Sequence, residues 1–285
     1  MPTETALKRS SWPAAALLLV LLVAAGVGWW WQQRTPAAPP ASVEPPPAAT
    51  ASAPASAAAP ATPSASSAGA VQHPIEPAAE AAAPLDPKAA LIDLFGRRAV
   101  LSTFQLEDFP RRFAATVDNL GRASAPSRVW PISPSSGQFL VERRDGEEVI
   151  SADNGLRYTP FVLMMETVDI GQAVATYRRL YPLFQQAYAD LGYPHGYFND
   201  RLVEVIDLLL ATPEPASPPA VHLPEIRGPV RPERPWVLYE FDDPALESLA
   251  AGQKILLRMG PVNERRMKTK LMEIRRLLVA DRAGR

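Results

Sequence analysis

The 285-residue chain contains no cysteine. Disulfides, thiolate metal sites, thiol nucleophiles and an N-terminal lipid-modified cysteine are excluded together, and the redox compartment is left open. Histidine is scarce, with three in the chain, and no Glu-x-x-His pair exists to build a helical di-metal centre. No serine sits in a Gly-x-Ser-x-Gly elbow, and no glycine-rich loop is shaped to cradle phosphate. Charge of one sign is lacking as well. Twenty-nine Lys and Arg face 30 Asp and Glu, a formal net charge of −1. That rules out a globally basic nucleic-acid binder and a globally acidic solvating protein. The sequence therefore predicts no cofactor, no metal and no nucleic-acid partner, and it assigns no catalytic residue.

What is abundant is proline, 32 residues, and its distribution organises the chain. Residues 1–11 carry Lys8 and Arg9. The stretch "WPAAALLLVLLVAAGVGWWW", 12–31, follows without a charge. At about 1.5 Å per residue it is long enough to span a hydrocarbon core of about 30 Å. Tryptophans mark both its ends, where indoles favour the interface, and the basic residues before it place residues 1–11 in the cytoplasm. A cleaved signal peptide would have a shorter apolar region and small residues at the cut, not three tryptophans. The reading is a single-pass anchor that meets the lipid bilayer through this helix.

Residues 32–85 are almost all Pro, Ala, Ser and Thr. With no periodic apolar face they cannot offset the entropy of ordering, and they read as a disordered linker. His73 falls inside it and is given no structural or catalytic role. Residues 86–285 form the globular part. They hold 26 basic and 26 acidic residues and are long enough to bury a core.

The globular part reads as mainly α, a multi-helix domain with a small β hairpin. "DPKAALIDLFG" has Pro at the start and Gly at the end of a helix. "LEDFPRRFAATVDNLG" spaces Phe109, Phe113, Val117 and Leu120 on one face. "QFLVERRDGEEVIS" alternates around Asp145-Gly146, a strong hairpin signal. "RYTPFVLMMETVD" is a helix. In "IGQAVATYRRLYPLFQQAYADLG" apolar positions 170, 174, 177, 181, 184, 188 and 191 form one stripe, and Pro182 is expected to kink it or restart it. "GYFNDRLVEVIDLLLATP" buries Phe198, Leu202, Val205 and Leu209. A proline-rich excursion precedes the strand "WVLYEF", and two helices split at Gly260-Pro261 close the chain.

The runs "RFAATVDNL", "YRRLYPLFQQAYADLGYP", "GYFNDRLVEVIDLLLATPEP" and "VLYEFDDPALESLAAGQKILLRMGP" resemble a bacterial family of uncharacterised proteins, domain of unknown function 3014. The resemblance covers most of Asp86 to Ala280, and the family's "GPFLVE"-like run stands here as "GQFLVE". It implies a Gram-negative bacterium, an inner-membrane anchor and a periplasmic C-terminal domain. It implies no activity, and there are no family catalytic residues to carry over.

Three groups of residues are candidates for function. Asp200, Glu204 and Asp207 lie on one face of a helix. With Glu166, and with Asp169 in reserve, they could serve as general acid and base. The competing reading is a solvated polar face. Tyr177, Tyr181 and Tyr188 belong to the packing stripe. Tyr193, His195 and Tyr197 flank the turn after it and form the better candidate contact surface, because loops carry function more often than packed faces. A metal site of His195, Asp200 and Glu204 is a remote option. From Lys254 onward ten basic residues face three acidic ones, a helix that could dock on an anionic surface or simply pack on the core with its charges solvated.

The preferred reading is an inner-membrane-anchored periplasmic interaction module, not an enzyme, for a protein or glycan of the envelope. The alternative is a cell-envelope hydrolase using helix-borne carboxylates. The sequence leaves the oligomeric state open.

Overall fold

Short-range signals set the first elements. In the computed structural model Asp86 accepts the amides of Lys88 and Ala89 and so caps α1, Pro87–Phe95, which Gly96 ends at φ +79°. A left-handed residue at a helix end costs glycine nothing. Helix α2, Arg97–Thr103, starts at once from the same glycine and was not anticipated. Helix α3 is Phe109–Leu120. Strands β1, Val141–Arg144, and β2, Glu147–Ile150, pair antiparallel with Arg144 opposite Glu147. The turn residues Asp145 and Gly146 both have positive φ, 51° and 91°, as a two-residue turn of this kind requires.

The described residues are 70–75, 86–225 and 232–280, and all lie in one unit, Pro63–Arg285. The expected anchor at 12–31 and most of the linker at 32–85 lie outside them. Among the described residues no helix is long and apolar enough to cross a membrane.

Helices α4, Asn154–Thr167, α5, Ile170–Asp190, and α6, Phe198–Leu210, follow. Helix α5 runs through Pro182 as one 21-residue helix, so no restart occurs there. Its stripe is buried as expected at Ile170, Val174, Tyr181, Phe184 and Tyr188. The buried face of α6 is wider than its apolar pattern predicts. Asn199, Val203 and Ile206 join Phe198, Val205 and Leu209, and Leu202 is only partly covered.

The proline-rich excursion contains β3, Val221–His222, which pairs with β4, Glu240–Phe241. The expected strand "WVLYEF" shrinks to β4, because Pro235–Val237 forms a 3-10 turn. Ile150, Val221, Phe241 and Leu257 make a small core under these strands. Helices α7, Pro244–Glu247, α8, Ala251–Met259, and α9, Pro261–Val279, close the domain.

The main core lies where α3, α5, α6 and α9 meet. Its centre is aromatic: Phe113 is 4.8 Å from Phe184 and 6.1 Å from Phe198 between ring centroids. Full burial of one such ring contributes roughly 1.5–3 kcal/mol. Helix α9 packs on this core through Met267, Leu271, Ile274 and Leu278. Several of its cations meet carboxylates of the domain: Arg266 with Glu166, Lys268 with Glu264 and Glu214, and Arg275 with Asp207.

One member of the main core comes from outside residues 86–285. Ile75, placed by sequence in the disordered linker, is only 7% exposed and packs into it. Residues 70–75 therefore belong to the folded unit. Composition gave no sign of this, because the tract around them is nearly all Ala, Pro and Ser.

Candidate functional site

The site is built on the turn that joins α5 to α6. Gly192 takes φ +104°. Gly196 is needed for a different reason: a Cβ there would meet Tyr188 Cε1 at 2.8 Å. This lets Tyr193 stack on Tyr188 with centroids 4.6 Å apart. Gln185, one turn before the end of α5, locks the turn in place. Its Nε2 donates to the Gly196 carbonyl at 2.8 Å, and its Oε1 accepts the Phe198 amide and the Tyr181 hydroxyl, both at 2.9 Å. One side chain thus satisfies an otherwise unpaired amide at the start of α6.

The first turn of α6 holds residues 72–75 almost entirely by their backbone. The Asp200 carboxylate accepts two consecutive amides, from Gln72 at 2.9 Å and from His73 at 2.7 Å. Asn199 Nδ2 donates to the His73 carbonyl at 2.8 Å, and Tyr197 Oη accepts the Ile75 amide at 2.7 Å. Pro74 has no amide to offer. Every backbone amide from Gln72 to Ile75 is therefore met by a side chain of the turn or of α6. Hydrogen bonds to a charged acceptor are about twice as strong as neutral ones.

Asn199 is fully buried and fixed from behind. Its Oδ1 accepts the Tyr177 hydroxyl at 3.1 Å, and its own amide donates to Tyr181 Oη at 3.3 Å. Burial, with the neighbouring tyrosines, pushes both phenols well above their ordinary range. Both therefore stay protonated: Tyr177 donates to Asn199 Oδ1, which turns Nδ2 toward the segment, while Tyr181 donates to Gln185 and accepts the Asn199 backbone amide.

The segment's side chains are treated differently. Val71, Gln72 and Pro74 are exposed, and only Ile75 is buried. His73 is half-buried, and its Nδ1 is buried without a hydrogen-bond partner.

The candidates from sequence divide clearly. Tyr197 and Asp200 meet at this site. His195 is exposed beside it. Tyr193 faces the other way: its hydroxyl donates to Asp118 Oδ2 at 3.3 Å and accepts from Arg122. There Asp118 also binds Arg122 and Arg201. Burial first, then Asp118, pushes the Tyr188 hydroxyl up to about 12. Glu204 pairs with Arg201 at 2.9 Å, Asp207 with Arg275, and Glu166 with Arg266 at 3.6 Å. Asp169 caps α5 by accepting the Gln172 amide. Sequence reasoning missed Asn199, which reads as one more polar residue at a helix start. It also missed the segment, whose only signal is "VQHPI" interrupting an Ala/Pro tract. Among the described residues no group of three or more His, Asp or Glu stands close enough together to hold a metal ion.

These features define a mainly helical domain with two small antiparallel sheets, in which one helix start grips a bent piece of backbone. The chain belongs to the family described as "Protein of unknown function (DUF3014)", which matches residues 109–275, more than half of its length. The match includes Tyr197, Asn199 and Asp200 and leaves out residues 70–75. No curated protein and no solved structure matches the chain.

Proposed function

We propose that the protein is a single-pass inner-membrane protein whose C-terminal domain lies in the periplasm and works as a non-enzymatic interaction module for an envelope protein. The observation that carries this is the grip of Tyr197, Asn199 and Asp200 on the backbone of residues 72–75. A side-chain set that satisfies consecutive amides of a bent segment is equipment for holding polypeptide by its backbone. The remaining carboxylates favour the same reading over a hydrolase, since Glu166, Glu204 and Asp207 each close an ion pair with an arginine.

Two measurements test the proposal. Reporter fusions joined after Pro84 should be active only as periplasmic reporters, and cytoplasmic activity there would overturn the topology. A photo-crosslinking residue at His195, exposed beside the grip, should trap an envelope protein in living cells. If no adduct rises above the level given by a crosslinker at exposed Leu101, the interaction module fails.

A further inference from the structure

We infer that the site at the start of α6 is a binding site for a short, bent segment of another polypeptide, and that residues 71–75 fill it as an intramolecular stand-in for that ligand. The inference rests on the reading of the domain as an interaction module and adds the chemistry of its ligand.

Three observations define that chemistry. The first is that recognition falls on the backbone. Asp200 takes two consecutive amides, Asn199 one carbonyl and Tyr197 one amide. The ligand must therefore bend so that two adjacent N–H groups converge on one carboxylate, as the chain does at Gln72 and His73, then offer a residue that needs no acceptor and one more N–H. Proline fits the third place because it has no amide to leave unpaired. The second observation is that one side chain is buried. Ile75 enters the main core, while Val71, Gln72 and Pro74 face outward. The ligand class is thus x–x–Pro–aliphatic, with an aliphatic anchor and little demand on the rest.

The third observation concerns how well the occupant fits. His73 Nδ1 is buried with no partner, and an unmet buried polar atom weakens the fit of whatever carries it. The segment is nonetheless held because it is part of the chain: an intramolecular ligand binds at a high effective concentration and needs little intrinsic affinity. An empty site would leave Asn199 Nδ2 without its carbonyl and the Ile75 cavity unfilled. The domain therefore carries a groove that calls for an occupant and holds a mediocre one.

The test uses the full chain in detergent micelles. The probe is an end-blocked, fluorescent octapeptide with the sequence of residues 70–77, followed by fluorescence anisotropy. In Ile75→Asp the internal segment loses its anchor, and the peptide should bind at least tenfold more tightly than to the unaltered chain. Methylating the two peptide amides that correspond to Gln72 and His73 should weaken binding at least tenfold, as the loss of bonds to a carboxylate predicts. Replacing the peptide's glutamine by alanine should change it less than threefold. Gln72→Pro is the second variant. It removes one amide from the internal segment, touches no core side chain, and should also raise peptide affinity. Equal binding of the methylated and parent peptides overturns the inference, and so does failure of both variants to bind more tightly than the unaltered chain. An adduct at His195 in cells together with either of these results leaves the interaction module standing and removes only this account of its ligand.

Discussion

Helix α6 presents carboxylates at both ends, and the two ends use them differently. Near its start, Asp200 meets two backbone amides from a segment more than a hundred residues away in sequence. Near and past its other end, charge meets charge. Asp207 pairs with Arg275, and Lys268 binds Glu264 and Glu214 at 2.9 Å and donates to the Thr212 carbonyl at 2.6 Å. Glu264 is 2% exposed. The second cluster ties together elements that the fold cannot release singly. On the inference that residues 71–75 are a stand-in ligand, the first holds a short segment that can leave while the helices stay packed. Identical residue types on one helix thus divide between fixing the fold and holding an occupant, and the partner, not the residue, decides which.

The largest effect is expected where a buried charge is stranded. Lys268→Met leaves Glu264 buried without its cation, which typically destabilises by about 3 kcal/mol or more. For a domain of this size that corresponds to a fall in Tm of roughly 6–12 °C. The double variant Glu264→Met/Lys268→Met should recover most of it by calorimetry. If the single variant melts within a degree or two of the parent, the cluster does not tie the fold.

Next comes Ile75→Ala. A buried Ile→Ala change in a closed core costs about 2–5 kcal/mol. Here the loss is capped at the free energy of docking the segment, because residues 70–75 can detach. Thermal unfolding of the whole domain should therefore shift less than for Lys268→Met. Hydrogen exchange at the amides of Gln72, His73 and Ile75 should rise at least tenfold. A loss of global stability equal to that of Lys268→Met would erase the distinction between the two ends of α6.

Smaller still are the two aspartates. Asp200→Ala and Asp207→Ala should each change global stability by about 1 kcal/mol or less, since Asp207 lies in a half-exposed ion pair and Asp200 holds only the segment. They separate by where the effect appears. Asp200→Ala should speed amide exchange at Gln72 and His73, and Asp207→Ala should leave those amides unchanged.

The smallest effect is one of acidity. A hydrogen bond from Lys268 holds the Glu214 carboxyl below its usual range. Lys254 and the Phe241 amide do the same for Glu247, outweighing the burial that pushes it up. A carboxylate with a depressed folded pKa contributes stability above its unfolded value, and that contribution is lost as pH falls through the folded one. Glu264 runs the other way, since burial raises its carboxyl. Tm should thus decline modestly as pH drops below about 4.5. Glu247→Gln should melt at a lower temperature than the parent at neutral pH and narrow that gap in acid. A Tm that rises steadily on acidification would show that Glu264 dominates.

Much of this architecture was legible in the sequence. The α5 stripe, the Asp145-Gly146 turn and the Pro/Gly boundaries of α1 and α9 are local or periodic features, and such patterns survive folding. The site was half legible. Tyr197 drew notice as a turn aromatic, and Asp200 as one of three carboxylates spaced along a helix. Nothing in that spacing separates Asp200 from Asp207, because their partners come from distant parts of the chain. Helix α2 went unread because "RRAVLST" is too short to show a period. The docking of residues 70–75 was hidden for a thermodynamic reason. Six residues among Ala and Pro cannot order themselves, and only a surface already folded around Asp200 and Asn199 stabilises them.

The backbone grip on residues 72–75 has an evolutionary consequence. Most substitutions at Gln72 or His73 other than proline leave the amides in place. The segment can change its spelling from one relative to the next while keeping its berth, provided an aliphatic residue stands at the position of Ile75. Selection would then act on Tyr197, Asn199 and Asp200 and leave only a faint trace on what they hold. A comparison of side chains along this family would find the lock and overlook the key.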